Sequence, residues 1–122
     1  MTHDWPELAK DLSGLLGQLR GGIPDVMKGF SAMAKAAGAD GALDAKTKEL
    51  VALGIGVAAR CDGCITFHTR SARDLGTTRE ELMEVLGMAI YMGGGPSLMY
   101  AALALEAFDQ HVAAKAGETA PA

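Results

Sequence analysis

Between its glycine and proline breaks, this chain repeats apolar side chains at the three- and four-residue spacing of an α-helix. Nowhere does it show the alternation that builds a half-buried strand. That pattern restricts the chain to an all-α fold of about six helices. Leu8, Leu12, Leu15, Leu16 and Leu19 line a first amphipathic helix, which Gly21-Gly22 breaks. Pro24 suits the first turn of a second helix, with Val26, Met27, Phe30, Met33 and Ala37 as its apolar stripe and Gly38 as its stop. Asp40-Gly41 marks a turn. Asp44 is placed to cap a third helix, because its carboxylate can accept from the free amides of the first turn. That helix carries Glu49, Leu50, Leu53 and Val57 and is expected to end near Arg60. Gly54 and Gly56 inside it cost about 1 kcal/mol each in helix propensity, and a close helix–helix approach would account for them.

A fourth helix is expected from about Cys61 to Leu75, with Gly76 as its stop. Thr78-Arg79-Glu80-Glu81 reads as a capping box for the fifth, in which Leu82, Val85, Leu86, Ala89 and Ile90 form the buried stripe. Gly93-Gly94-Gly95-Pro96 is the strongest break in the chain and reads as a tight turn, since it lacks the strand and lysine of a phosphate-binding loop. Pro96 then opens a long Ala- and Leu-rich helix to about Ala114. The reading is one domain over 1–122, with N-terminal helices in 5–38, a core at about 43–110 and a frayed tail at 116–122. Trp5 is expected to dock the first helix, whereas His3 and His111 have no partners that the sequence identifies.

Of the 122 residues, 49% are apolar, and the mean hydropathy is positive. A domain this small cannot easily cover so much apolar surface, so oligomer interfaces are expected. Met27, Met33, Met83, Met88, Met92 and Met99 fall mostly on helical stripes, which favours core or interface packing over a soft-metal surface. The net charge of −4 is mild and mixed, which excludes the clustered Lys and Arg of a nucleic-acid surface. No apolar run is clean enough to span a bilayer, and the start lacks the shape of a signal peptide. The expectation is a cytoplasmic protein. In a reducing compartment, two close cysteines are more often catalytic or metal-binding than structural.

Those two cysteines, the only ones in the chain, stand as Cys61-Asp62-Gly63-Cys64. On a helix they share a face with Cα atoms about 5 to 6 Å apart, compatible with a disulfide. A helix N-terminus favours negative charge and hence the nucleophilic thiolate. His68 lies one turn beyond Cys64 on the same face and can take the thiol proton or give one to a leaving oxygen. If the third and fourth helices form a hairpin, Glu49 returns within reach of His68 and can fix its tautomer. The helix end favours Cys61 as nucleophile, and the histidine favours Cys64. Because a peroxide needs its leaving oxygen protonated, the histidine weighs more, and the expectation is that Cys64 attacks and Cys61 resolves. A zinc half-site, an inert cysteine pair and an isolated partly buried histidine are the plainer readings. Zinc is disfavoured by the roughly 10 Å of helical rise between Cys61 and His68.

Glu49, Cys61, Cys64 and His68 stand at the spacing of the alkyl hydroperoxidase D (AhpD-like) branch of the carboxymuconolactone decarboxylase family, which the sequence resembles over about 43–110. The resemblance implies an all-helical fold with a helical hairpin carrying the C-x-x-C pair, and assembly into trimers or hexamers. It implies thiol-dependent reduction of hydroperoxides without a cofactor or metal, with Glu49 and His68 relaying protons to Cys64. Cys61 would be the exposed resolving thiol, reduced by a lipoyl-type or other dithiol donor. The best-known members carry a further histidine just before the second cysteine, where this chain has Gly63. The decarboxylase branch does not use a cysteine pair. Two other readings of the residues are a redox-sensing or disulfide-exchange module without peroxide turnover, and a structural or metal-binding helical oligomer.

Overall fold

A computed structural model of the chain describes residues 1–119. Six helices follow in order: α1 (Trp5–Gly22), α2 (Pro24–Gly38), α3 (Ala45–Ala58), α4 (Asp62–Asp74), α5 (Arg79–Gly93) and α6 (Gly95–Thr119). No strand occurs among the described residues. The all-α expectation therefore holds, and most boundaries fall where local chemistry puts them. The Asp44 carboxylate accepts from the Thr47 amide at 2.7 Å. The Thr78 hydroxyl accepts from the Glu81 amide at 3.1 Å while the Glu81 carboxylate takes the Thr78 amide at 2.9 Å, so the capping box is complete. Gly94, at φ 71°, turns the chain between α5 and α6. α6 runs beyond the expected end near Ala114, through residues 116–119 of the segment read as a frayed tail. The remainder of that segment, 120–122, lies outside the described residues.

The core forms where α3, α4, α5 and α6 meet. Ala101, Ala104 and Ala107 are buried on α6, and their small side chains let three neighbours approach it closely. Leu53 and Val57 of α3, Ile65 of α4, and Leu82 and Leu86 of α5 fill the space between. Trp5 is fully buried in the same cluster. Its indole N–H donates to Glu106 at 2.8 Å, its amide donates to Gln110 at 2.8 Å, and its carbonyl accepts from the Thr66 hydroxyl at 2.7 Å. α1 is thereby fastened to α4 and α6, as Trp5 was expected to do. The amide and hydroxyl of Thr2, with the Trp5 indole and the His3 amide, hold the Glu106 carboxyl down at about 2.

Several apolar stripes lie on the surface instead. α2 buries none of its side chains, and Val26, Phe30 and Met33 of its expected packing face are each more than 60% exposed. Leu15 and Leu19 of α1, and Met83, Met88, Met92 and Met99 further on, are also exposed. The three-to-four spacing identified apolar faces correctly, but a periodic pattern does not say whether the surface that covers a face belongs to the same chain.

Candidate active site

α3 and α4 pack against each other as a hairpin, with the cysteines at its turn and Glu49 and His68 on its two arms. α3 ends in two nested backbone bonds. The Arg60 amide donates to the Val57 carbonyl at 3.1 Å, and the Cys61 amide donates to the Gly56 carbonyl at 3.0 Å. This is the Schellman pattern, which needs a left-handed residue just past the helix and usually takes glycine there. Arg60 occupies it at φ 57°, the only non-glycine residue with positive φ among those described. The turn delivers Cys61 directly to the N-cap of α4.

Cys61 and Cys64 are joined as a disulfide, with Cα atoms 5.2 Å apart. The Cys61 sulfur also accepts from the Cys64 amide at 3.1 Å. A sulfur at the N-cap of a helix faces free amides and the positive end of the dipole, an environment that favours thiolate once the disulfide opens. Cys64 sits inside the first turn. His68 follows one turn later, and its Nδ1–H donates to Oε1 of Glu49 on α3. With Nδ1 carrying the proton, Nε2 is left as the basic nitrogen. The Glu49 side chain is 19% exposed and that of His68 36%. The pair is sheltered enough to be held in place and open enough to exchange protons with water.

All four residues chosen from the sequence therefore lie on one hairpin, with Glu49 joined to His68 and Cys61 to Cys64. Two neighbours were not singled out for this role. Gly56 lies against Cys64, so that a Cβ built on it would stand 3.0 Å from the Cys64 Cβ. Its sequence signal was the glycine in mid-helix. At Gly63, a Cβ would meet Leu12 Cδ1 of α1 at 3.2 Å. α1 thus lies over the turn at the position where the best-known alkyl hydroperoxidase D-like proteins carry a histidine, and a ring there requires Leu12 to move. Next to Cys61, Asp62 borders an acidic recess with His3, Asp4, Glu7 and Asp11. No group of three or more His, Cys, Asp or Glu side chains among the described residues is placed to hold a metal ion. None of the described helices is long and apolar enough to cross a membrane.

His111, which the sequence left without a partner, is almost wholly buried. Its Nε2 lies 3.1 Å from the Thr66 hydroxyl, and the guanidinium of Arg73 donates to its carbonyl at 2.7 Å. Burial, reinforced by the charges of Arg73 and Arg70, pushes the imidazole down to about 4. Thr66 already gives its proton to Trp5, so His111 must donate through Nε2–H. This second histidine ties α6 to α4 and α1 and stands apart from the cysteine pair. Nothing in its local sequence signals this, because Thr66 is 45 residues away.

The family model for the carboxymuconolactone decarboxylase family matches residues 24–107. A crystal structure of a member of that family from Legionella pneumophila, in its apo form, superposes with a TM-score of 0.86 at 55% identity, covering 88% of this chain and 96% of that one. A second member, from Thermotoga maritima, for which involvement in an antioxidative response has been suggested, gives a TM-score of 0.74 at 30% identity over 96% of this chain and 97% of its own. An uncharacterized protein from Cupriavidus necator is 43% identical over 109 residues, covering 89% of this chain and 96% of the relative. With a family match over most of its length and solved relatives sharing its fold, the protein belongs to the carboxymuconolactone decarboxylase family, and its cysteine pair agrees with the alkyl hydroperoxidase D-like branch.

Proposed function

We propose that the protein is a thiol-dependent peroxidase that reduces hydroperoxides through Cys61 and Cys64. The observation that carries this reading is the Glu49–His68 hydrogen bond on the same hairpin as the cysteine disulfide. In the reduced protein, His68 Nε2 takes the proton of Cys64, and the thiolate attacks one oxygen of the hydroperoxide. An S–O bond forms as the O–O bond breaks, and the leaving alkoxide collects the proton from His68 and departs as alcohol. The Cys61 thiolate then attacks the Cys64 sulfenic acid. The S–S bond forms and the S–O bond breaks, and the departing hydroxide takes up the proton given up by the Cys61 thiol and leaves as water. A dithiol of the lipoyl type returns two electrons and two protons, restoring both thiols and becoming a disulfide itself. Glu49 keeps the imidazole in the Nδ1–H form throughout. The protein works in the cytoplasm without a resident cofactor or metal, as a trimer or hexamer. The antioxidative role suggested for the Thermotoga relative supports the same class of chemistry.

A second reading is favoured by Gly63 and the Leu12 contact above it, which leave the pair without the further histidine of the best-known members. In that reading the dithiol exchanges disulfides or senses oxidation but does not turn over peroxide. Steady-state peroxide consumption with lipoyl and other dithiol donors separates the two. The proposal expects turnover in wild type and its loss in Cys64→Ser, with sulfenic acid trapped in Cys61→Ser. No turnover with any donor establishes the exchange module instead, and sulfenic acid forming at full rate in Cys64→Ser reverses the roles of the cysteines.

A further inference from the structure

We propose that Gly56 is a positioning residue that sets the dithiol–disulfide balance of Cys61 and Cys64. Gly56 is buried on α3 and touches both cysteines. Its carbonyl accepts the Cys61 amide at 3.0 Å. Its missing side chain admits Cys64, whose Cβ would lie 3.0 Å and carbonyl carbon 3.9 Å from a Cβ added at position 56. Packed carbon atoms prefer about 3.5 to 4.0 Å, so any larger residue here must push Cys64 away from α3. Gly54, on the same helix, provides the internal comparison. A Cβ there would meet Val85 Cγ1 at 3.7 Å, an ordinary contact. Both glycines weaken α3 by about 1 kcal/mol relative to alanine, but only Gly56 is required by what it touches.

The two redox states differ in how they can respond to crowding at this point. In the disulfide, Cys64 is tethered through sulfur to Cys61, and the Cys61 amide is anchored on Gly56 itself. The cysteine pair and Gly56 then form one closed unit in which Cys64 has little room to retreat. In the dithiol the tether is open, and the first turn of α4 can shift by the few tenths of an ångström a methyl group demands. A methyl at position 56 therefore penalises the disulfide more than the dithiol. Glycine there keeps the disulfide accessible and hence the resting pair oxidised more readily.

The inference rests on the reading of Cys61 and Cys64 as a redox couple, and the test separates the two. The full chain is equilibrated in graded thiol–disulfide buffers, first glutathione and then dithiothreitol. Two glutathione molecules, or one dithiothreitol, donate two electrons and two protons in becoming a disulfide as Cys61–Cys64 opens to two thiols. The fraction reduced is counted by alkylation and mass spectrometry. Wild type and Gly54→Ala are expected to titrate together. Gly56→Ala is expected to move toward the dithiol by about tenfold in equilibrium constant, about 30 mV for a two-electron couple. A Gly56→Ala curve superimposed on wild type overturns the proposal. So does an equal loss of thermal stability in the oxidised and reduced forms, which is what a purely structural glycine would give. A wild-type pair that neither opens nor re-forms in any buffer overturns the redox reading beneath it. If Gly56→Ala does not fold as the disulfide, it is expected to fold under excess dithiothreitol, and failure to fold in both states overturns the proposal.

Discussion

His111 shows how a single side chain can govern the acid stability of the fold. Its imidazole is neutral and buried, held down to about 4 by burial first and by Arg73 and Arg70 second. In the unfolded chain it titrates near 6.5. Between these values the unfolded state binds the extra proton, so stability is full above about pH 6.5 and falls as the pH drops toward 4. The loss is about 3 kcal/mol at its limit. Below that range other carboxylates take over the decline: Asp44, Asp74 and Glu81, held below their usual values by hydrogen bonds and neighbouring cations, and Glu106, held down by hydrogen bonds alone. Thermal melts from pH 7 to 4 should show a steady fall in wild type. His111→Gln keeps an N–H donor for Thr66 but has no proton to gain, so its midpoint should be nearly flat over the same range. An equally steep fall in that variant would place the effect elsewhere. The sequence offered no route to this residue, since its partner Thr66 is 45 residues away. By contrast, Asp44 and Thr78 were readable because each cap is satisfied within three residues of itself.

The α3–α4 hairpin was legible as an element because its parts are local. Cap chemistry set the start of α3 and helical spacing put His68 over Cys64. The return of Glu49 to His68 required only that the hairpin be tight. The sequence did not reveal how tight. Gly56 closes α3 on Cys64, and Arg60 accepts a left-handed backbone that costs roughly 1 to 2 kcal/mol to make the turn. If the hairpin is a catalytic unit, its two proton-handling residues should fail unequally. His68→Ala removes the base and acid together and should lower peroxide turnover by roughly a hundred- to ten-thousandfold. Glu49→Gln keeps an oxygen to accept Nδ1–H but loses its charge, and should cost about tenfold, the worth of the charge in a charge-assisted hydrogen bond. Both variants should keep wild-type helix content by circular dichroism. A His68→Ala protein that consumes peroxide at the wild-type rate would remove His68 from the mechanism.

Over the whole molecule, the chain exposes more surface than its mass requires. At 12.6 kDa a compact monomer presents about 6,200 Å², whereas this chain presents 7539 Å². The surplus includes two apolar regions. One is the outer face of α2, where Val26, Phe30 and Met33 project. The other is a groove of about 470 Å³ between α3 and α5, lined by Val51, Ile55, Val85, Met88 and Met92. Contiguous exposed apolar surface of this kind is uncommon on monomers and marks association. The trimer or hexamer proposed above would cover both regions with further copies of the chain, and the apolar stripes of α2 and the methionines would then be packed between chains rather than within one. Ile55→Glu places a charge in the groove and Phe30→Glu places one on α2. Neither side chain supports the core of its own chain, so both variants should keep their helix content. Each should shift light-scattering mass from trimer or hexamer toward monomer at micromolar concentration, because burying an unpaired carboxylate at an interface is strongly unfavourable. If wild type is already monomeric there, the exposed stripes need another explanation. If only one variant dissociates, the other region lies outside the interface.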